Sequence, residues 1–335
     1  MMCRLLLLVT CCVATATRAF AFGQEGHEAV AILALQKLQA DQAANNPKAN
    51  AALQHLTALL GSQDLAAVAV WADWIRLNEH QHVTAAEISD INARFKGNGD
   101  WHFVDLPLGT KSYSDTAVSA SANDVVHGIN QCIAMLESAD TSAQQDHHRV
   151  ALKFLIHLVG DIHQPLHVAC GYYEMNKSKI VRDPAKAVGL PDDRGGNHLL
   201  STASTNSASL HHLWDSDLVL AQTSLAVAKV EGSDVAAALR GDLTPRLFPP
   251  ETTDHHVWAA QWATETIKVA AAAYKAAKVP VITTLSHGGK EIGDVTMVKF
   301  NKNRYIVAQE AAAKQQLLRA AWRLAELLEN INWHN

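Results

Sequence analysis

The stretch HLVGDIHQPLH, residues 157–167, carries three histidines and one aspartate among residues that are otherwise mostly apolar. Its apolar residues are typical of a buried helix. Buried ionisable side chains cost free energy unless they have partners, and metal ions are natural partners for imidazoles and carboxylates. The stretch therefore predicts a helix that brings metal ligands into the protein interior.

Two of these side chains share one face of the predicted helix. Residues four apart in a helix lie on the same face, so His157 and Asp161 point the same way. Pro165 lacks a backbone donor and is predicted to end the helix at about Gln164. The chain then turns, which lets His167 approach the same face from a different point.

Other stretches carry similar ligand types. A second H-x-x-x-D pair, His211 and Asp215, lies in LHHLWDSDL. Upstream candidates lie in GHEAV, VWADWIRL and WHFVDLP: His27, Asp73, His102 and Asp105. Histidine nitrogens and carboxylate oxygens suit zinc, which they bind at about 2 Å. One pair arises easily by chance in a chain with 18 histidines. Two pairs flanked by apolar residues predict a site for several metal ions.

Residues 1–21 have the pattern of an export signal. Arg4 precedes a short apolar run, and AFA at 19–21 is a small-x-small cleavage sequence. The run is too short and interrupted to span a membrane, which takes about 20 apolar residues. ATA at 14–16 competes for the cleavage, and LVTC is a poor lipoprotein box. We expect a secreted or periplasmic protein without a membrane anchor.

The expected product, residues 22–335, is acidic and poor in cysteine. Loss of the leader lowers the count of basic residues from 28 to 26 against 33 acidic residues, a net charge near −7. This argues against a protein that binds nucleic acid by neutralising phosphates. It suits an enzyme whose bound divalent metals supply positive charge locally. Cys132 and Cys170 remain, so one disulfide is possible but a disulfide scaffold is not.

Helical spacing of apolar residues extends along most of the chain. Helices are predicted at roughly 25–40, 48–60, 62–77, 115–137, 144–164, 208–222, 254–277 and 305–331. IVRD near 180 and VTMVKF near 295 would form at most short β-hairpins. The sequence contains no internal repeat and no stretch typical of an interdomain linker. We therefore predict an all-α fold, a single mainly helical domain.

The ordered set FGQEGH, WADWIR, HFVD, FLIHLVGDIHQPLH, GGN and LHHLWD resembles the S1/P1 nuclease family of trinuclear zinc enzymes. The resemblance covers residues 22 to at least 215 and continues weakly to WATET near 262. HLVGDIHQPLH is its most specific part. The resemblance implies a mainly helical fold, similar to that of zinc-dependent phospholipase C, with three Zn²⁺ ions in a cleft.

The same resemblance implies which residues bind each ion. The implied ligands are Asp73, His102, His157 and Asp161 for the first ion, His27, the bridging Asp161 and the amine and carbonyl of Phe22 for the second, and His167, His211 and Asp215 for the third. The family usually has tryptophan where this chain has Phe22. The ligating atoms at this position are backbone atoms, so the substitution changes the packing of the ring and not the coordination.

Residues beside the ligands receive roles from the same resemblance. It implies Arg76 as a phosphate clamp that acts in catalysis with the ligand Asp73. Phe103 would stack on a nucleobase, and Asp105 would accept a hydrogen bond from the base edge. Asn197 in DRGGNH would contact the substrate, although a plain Gly-Gly turn explains this stretch almost equally well.

Three polar residues near the ligands lie off the aligned positions and are predicted to be supporting or surface groups: His163, His212 and Asp217. His212 competes with His211 as a ligand, but only His211 has the four-residue spacing to Asp215.

The implied activity is hydrolysis of single-stranded DNA and RNA to 5′-mononucleotides, with 3′-nucleotidase activity. A zinc-dependent phospholipase C is the nearest alternative, but its second motif typically ends in Glu, where this chain has Asp215. A secreted zinc-binding protein without catalysis is the other alternative, and it leaves Arg76, Phe103 and Asp105 without a purpose. No oligomer is implied.

Overall fold

The computed structural model describes residues 22–62, 64–139, 145–174, 180–201, 208–224, 229–244, 252–278 and 300–333. The expected leader and the strand predicted near 295 lie outside these residues. In the described part of the chain, no helix is both long enough and apolar enough to cross a membrane.

Helices make up most of the described chain. The α-helices are α1 (Gly23–Ala43), α2 (Pro47–Leu60), α3 (Leu65–Ala69), α4 (Trp71–Leu77), α5 (Ala85–Arg94), α6 (Val125–Leu136), α7 (Gln145–Asp161), α8 (Pro165–Val168), α9 (Pro184–Ala187), α10 (Leu210–His212), α11 (Leu218–Leu220), α12 (Gly232–Leu239), α13 (Trp258–Ala277) and α14 (Lys302–Asn330). Single 3₁₀ turns lie at Asn98–Asp100, Arg240–Asp242 and His255–Val257, and a π-helical turn spans Leu213–Asp217.

The strands are only two residues long. They are β1 (Leu106–Pro107), β2 (Ala169–Cys170), β3 (Tyr172–Tyr173) and β4 (Ile180–Val181). β1 pairs with β2 in parallel, and β3 pairs with β4 antiparallel. The pairing of β4 confirms the strand predicted near residue 180, and the predicted all-α class is confirmed.

Helix α7 lies at the centre of the fold. It packs against α6 on one side and against α1, α2, α3, α4 and α14 on others. Its C-terminal half is almost wholly buried, from Val150 to Asp161. Helix α1 packs against α14, α12, α3 and α2. Polar groups on the end of α7 are therefore enclosed by helices from both halves of the chain.

Several predicted boundaries were wrong, each for a local reason. The helix predicted at 62–77 divides at Val70 into α3 and α4. The helix predicted at 115–137 begins only at Val125, because the Asp124 side chain accepts from the backbone of His127 and caps it. Helix α7 ends at Asp161, and Pro165 instead starts α8, where its missing N–H costs nothing.

Other departures concern short helices and the cysteines. The helix predicted at 208–222 is divided into α10, the π-helical turn and α11. Helices α5, α9 and α12 were not predicted. Cys132 and Cys170 are both buried free thiols, so the disulfide left open by the sequence does not form.

Candidate metal centre

Five side chains from four parts of the chain converge around the end of α7. Asp161 Oδ2 lies 3.1 Å from Nε2 of His157 and 3.0 Å from Nδ1 of His102. Its Oδ1 lies 3.4 Å from Nε2 of His27 on α1. Asp73 on α4 places Oδ1 3.7 Å from Nε2 of His157. All five side chains are buried, and Asp161 is the group that they share.

A second cluster adjoins the first and consists of His167 on α8, His211 on α10 and Asp215 in the π-helical turn. The Nε2 atoms of His167 and His211 are 3.2 Å apart, and Nε2 of His211 lies 3.3 Å from Oδ2 of Asp215. Nδ1 of His167 lies 3.6 Å from Oδ1 of Asp161, which joins the two clusters. The structure thus brings both H-x-x-x-D pairs into one buried region.

Three of the histidines are oriented in the same way by backbone carbonyls. In each case Nδ1 donates to a carbonyl oxygen: His157 to Ala69 at 2.7 Å, His167 to His102 at 2.6 Å and His211 to Gly195 at 2.8 Å. A proton held on Nδ1 leaves the lone pair of Nε2 directed into the cluster. Protein metal sites fix their histidine ligands by this kind of contact.

The protonation states favour neutral imidazoles at most positions. Burial lowers the pKa of His102 and of His167 to about 3 and that of His211 to about 4. Burial also opposes protonation of His157, but Asp161 and Asp73 outweigh it and raise its pKa to about 9. Neutral imidazoles can bind a metal ion without first losing a proton. The raised pKa of His157 shows that Asp161 and Asp73 favour a positive charge at this position, which a bound cation would supply.

Carboxylate oxygens without donors show that the residues fit metal ions. Both oxygens of Asp73 and Oδ2 of Asp215 are buried and accept no hydrogen bond from any residue that the structure describes. Burial raises the pKa of Asp73 to about 6 and raises the pKa of Asp215 well above its ordinary value. Such oxygens are costly without a partner. The buried residues form three sets, and inside each set the ligand atoms lie within 4.8 Å of one another. The sets are His27, Asp73 and His157; His102, His157 and Asp161; and His167, His211 and Asp215.

The start of α1 lies against these clusters. Phe22 is fully buried, its backbone has a φ of 49°, and its N–H favours the charged form of the Asp215 carboxylate. Its carbonyl oxygen accepts from the backbone N of Gly26 at 3.0 Å, within the first turn of the helix. The residue predicted to supply a terminal amine is therefore enclosed beside the metal-capable side chains.

The predicted substrate residues form a partly exposed rim. The guanidinium of Arg76 lies 5.4 Å from the centre of the Phe103 ring. Asp105 is half-buried and has a φ of 40°. Burial, reinforced by Asp192 and Asp193, raises the pKa of Asp105 to about 8. A raised pKa favours the protonated carboxyl, which can donate a hydrogen bond as well as accept one.

The Gly-Gly turn contacts His211, a predicted ligand. Gly195 and Gly196 have φ values of 59° and 78°, and the Asn197 side chain donates to the carbonyl of Arg194 at 2.9 Å. A Cβ on Gly195 would lie 2.1 Å from a backbone oxygen, so only glycine fits beside His211. Asn197 closes its own turn, and its contact with substrate stays a prediction.

The neighbours predicted not to be ligands have other contacts. Nδ1 of His163 donates to the carbonyl of Val159 at 2.7 Å, and its Nε2 lies 3.1 Å from the guanidinium of Arg323. Nε2 of His212 lies 3.9 Å from Oδ2 of Asp217, outside the buried clusters.

Two further residues of the stretch 157–167 contact the clusters, although the sequence pattern did not indicate them. Gln164 is fully buried and donates through Nε2 to Oδ1 of Asp215 at 2.7 Å. Gly160 lies where α7 meets His27, and a Cβ there would lie 2.7 Å from Nδ1 of that ring. The signal for both was their position: each is a small or amide residue between predicted ligands in a buried stretch of the chain.

Gly160→Ala is expected to displace His27 and to weaken metal binding at the first cluster by about tenfold or more. The physical reason is the added methyl group, which would lie 2.7 Å from Nδ1 and 2.8 Å from Cε1 of His27. Elemental analysis after dialysis at graded free zinc measures the change. The matched control is Gly241→Ala, where a Cβ meets no atom within 4 Å. Equal metal affinity in both variants would contradict the assigned contact.

Comparison with known proteins gives the family context of these residues. The model of the S1/P1 Nuclease family matches residues 22–332. Endonuclease 2 of Arabidopsis thaliana is 25% identical over 316 residues, which cover 92% of this chain and 90% of that protein. Nuclease S1 of Aspergillus oryzae is 28% identical over 233 residues, 68% of this chain and 65% of that protein. Nuclease P1 of Penicillium citrinum is 27% identical over 200 residues, 58% of this chain and 57% of that protein.

Proposed function

This chain belongs to the S1/P1 nuclease family, and we propose that it is a secreted zinc-dependent endonuclease that hydrolyses single-stranded DNA and RNA to 5′-mononucleotides, with 3′-nucleotidase activity. The observation that carries the proposal is the buried centre around Asp161, in which backbone carbonyls direct Nε2 of His157, His167 and His211 into the cluster.

Three zinc ions are the proposed cofactors. The proposed ligands are Asp73, His102, His157 and Asp161 for the first ion, His27, Asp161 and the amine and carbonyl of Phe22 for the second, and His167, His211 and Asp215 for the third. When bound, zinc activates water and neutralises phosphate charge. The buried oxygens of Asp73 and Asp215 that lack hydrogen-bond donors among the described residues support this assignment.

Asp73 has a second proposed role in the reaction. Neither of its oxygens accepts a hydrogen bond from the residues described, and burial raises the pKa of its carboxyl to about 6. At neutral pH the carboxylate form can accept a hydrogen bond from the attacking water and hold the water in line with the phosphorus atom.

Arg76 is proposed to bind the phosphate and offset the charge that develops in the transition state. Its guanidinium lies beside the Phe103 ring, at the rim of the centre. A planar guanidinium can donate two parallel hydrogen bonds to a phosphate, which a lysine ammonium cannot. The stacked ring limits the orientations open to the guanidinium.

Arg76→Ala is expected to lower kcat/KM for single-stranded DNA by about 100- to 1,000-fold, the range found when one donor to a transition-state oxyanion is removed. Zinc content should stay unchanged. Arg76→Lys should retain an intermediate activity, because it keeps the charge and loses the two-point geometry. Arg304→Ala, an exposed position at the start of α14, is the control. An Arg76→Ala protein with the activity of this control would remove Arg76 from the mechanism.

Phe103 and Asp105 are proposed to hold a base. A stacking ring accepts any base with an accessible face, and the carboxyl of Asp105 can donate to or accept from the base edge. A base inside a duplex is already stacked and paired and cannot reach such a position. This is the physical basis for the proposed preference for single strands.

We also propose that residues 1–21 are removed on export and that the α-amino group of Phe22 is the new terminus. The match to the family begins at residue 22. The burial of Phe22 and the proximity of Gly23 to the backbone of Asp215 support a terminus beside the metal centre.

A substrate comparison tests the function. The zinc-loaded enzyme is incubated with single-stranded DNA, RNA, a duplex of the same sequence and phosphatidylcholine. We expect cleavage of both single strands, slower cleavage of the duplex, no release of phosphocholine and loss of activity with a chelator. Hydrolysis of phosphatidylcholine in preference to single-stranded DNA would favour the phospholipase alternative. Inactivity on every substrate despite bound zinc would favour the non-catalytic one.

A further inference from the structure

A separate group of metal-capable side chains lies apart from the buried metal centre. It consists of Glu137, the residue after α6, and His255 and His256 in the 3₁₀ turn before α13. Nε2 of His255 lies 2.7 Å from Oε1 of Glu137, and Nε2 of His256 lies 3.1 Å from Oε2. The two imidazole rings are 4.4 Å apart, with an angle of 32° between their planes. Three donor atoms, one from each residue, lie within 4.8 Å of one another.

The charges of this group suit a divalent cation. Burial opposes ionisation of Glu137, but the backbone of Asn332 and both histidines favour it and lower its pKa. The carboxylate is therefore charged at neutral pH. Two imidazoles and one carboxylate are a known zinc ligand set that leaves a position open to solvent. Divalent copper and nickel also bind imidazole nitrogen strongly.

The hydrogen bonds of Glu137 explain the position of the segment after α14 but not the position of His256. Oε1 of Glu137 already accepts from the backbone N of Asn332 at 2.9 Å and from its Nδ2 at 3.0 Å, as well as facing His255. These bonds hold the segment after α14 without any help from His256. His256 is 49% exposed on its side chain, yet its Nε2 faces the other oxygen of the same carboxylate. An exposed imidazole has free access to water, so a shared cation accounts for the convergence better than a single surface hydrogen bond.

We propose that Glu137, His255 and His256 form a surface zinc site, with solvent completing the coordination. The ion would join the end of α6 to the start of α13. Because His256 is half exposed, the ion would exchange with solvent more readily than ions in the buried centre. This site does not depend on the proposed nuclease activity.

Zinc content measures the site directly. Untagged protein is dialysed at graded free zinc and analysed for metal per chain, in wild type and in the variants His256→Gln and Glu137→Gln. Each variant should bind one zinc ion fewer at intermediate free zinc, because loss of one of three ligands weakens the site by at least about tenfold. Cleavage of single-stranded DNA should be unchanged. His80→Gln, an exposed histidine outside every metal-capable group among the described residues, is the control.

Electron paramagnetic resonance gives a second readout. Cu²⁺ added to protein dialysed until the surface site has lost its zinc should show coupling to two nitrogen atoms in wild type and to one in His256→Gln. Equal zinc content in wild type and both variants, or a copper spectrum that His256→Gln leaves unchanged, would overturn the site. Because the comparison depends on a difference of one ion, the result stands whether the buried centre holds three ions or fewer.

Discussion

Asp161→Asn is expected to lower the rate of hydrolysis of single-stranded DNA by at least about 1,000-fold. Removal of one electrostatic contact in an active site typically costs up to about 1,000-fold, and Asp161 makes several such contacts. The carboxylate lies within 3.4 Å of ring nitrogens of His27, His102 and His157, so its loss removes the charge that the first cluster shares. An amide of the same shape supplies one neutral oxygen in place of a shared carboxylate. We expect the zinc content to fall by at least one ion per chain.

Two comparisons distinguish a lost ligand from a damaged fold. Asp217→Asn changes a carboxylate that pairs with Lys302 at 2.6 Å, and it should leave activity and zinc content unchanged. His163→Gln removes a buried ring that contacts Val159 and Arg323, so it should lower the free energy of unfolding by about 1–3 kcal/mol without removing zinc. Equal losses of zinc in Asp161→Asn and His163→Gln would show that the ligand face of α7 was assigned wrongly.

Extension of the mature chain by one residue before Phe22 should reduce activity by at least about 100-fold, the cost of an ångström-scale misplacement in an active site. The added peptide bond replaces a free amine with an amide, which is a poor metal ligand. Activity, zinc content and the mass of the intact chain are measured together.

The side chain and backbone of Phe22 can be tested separately. Phe22→Trp restores the residue usual in the family, keeps the terminal amine and should retain activity. An extended chain with the full activity and zinc content of the mature chain would remove the Phe22 amine from the proposed ligands.

The sequence predicted the centre best where a single helix carries the pattern. His157 and Asp161 share a face because α7 is continuous to Asp161, and the four-residue spacing then determines their separation. His211 and Asp215 also come together, although the helix predicted around them is interrupted by a π-helical turn. The resemblance to a known family supplied the grouping of these pairs with His27, Asp73 and His102, which spacing alone could not give.

The sequence could not predict the contacts that backbone groups make. The stretch LAAVAVWADWIRL has an unbroken helical pattern, yet the helix is interrupted at Val70. The carbonyl of Ala69 accepts a hydrogen bond from His157. Gln164 was taken as the end of a helix, whereas its amide supports Asp215. Both contacts join segments far apart in the chain, so they depend on tertiary packing and not on local propensity.

The proposed trinuclear zinc centre with Phe22 as the terminal residue is tested most directly by mass spectrometry of the intact secreted protein under conditions that preserve bound metal. The Glu137→Gln variant is used, so that the surface site does not contribute. The claim predicts a chain that begins at Phe22 and carries three zinc ions. A chain that begins elsewhere yet is fully active, or one that carries a single zinc ion or none after dialysis against zinc, would contradict it.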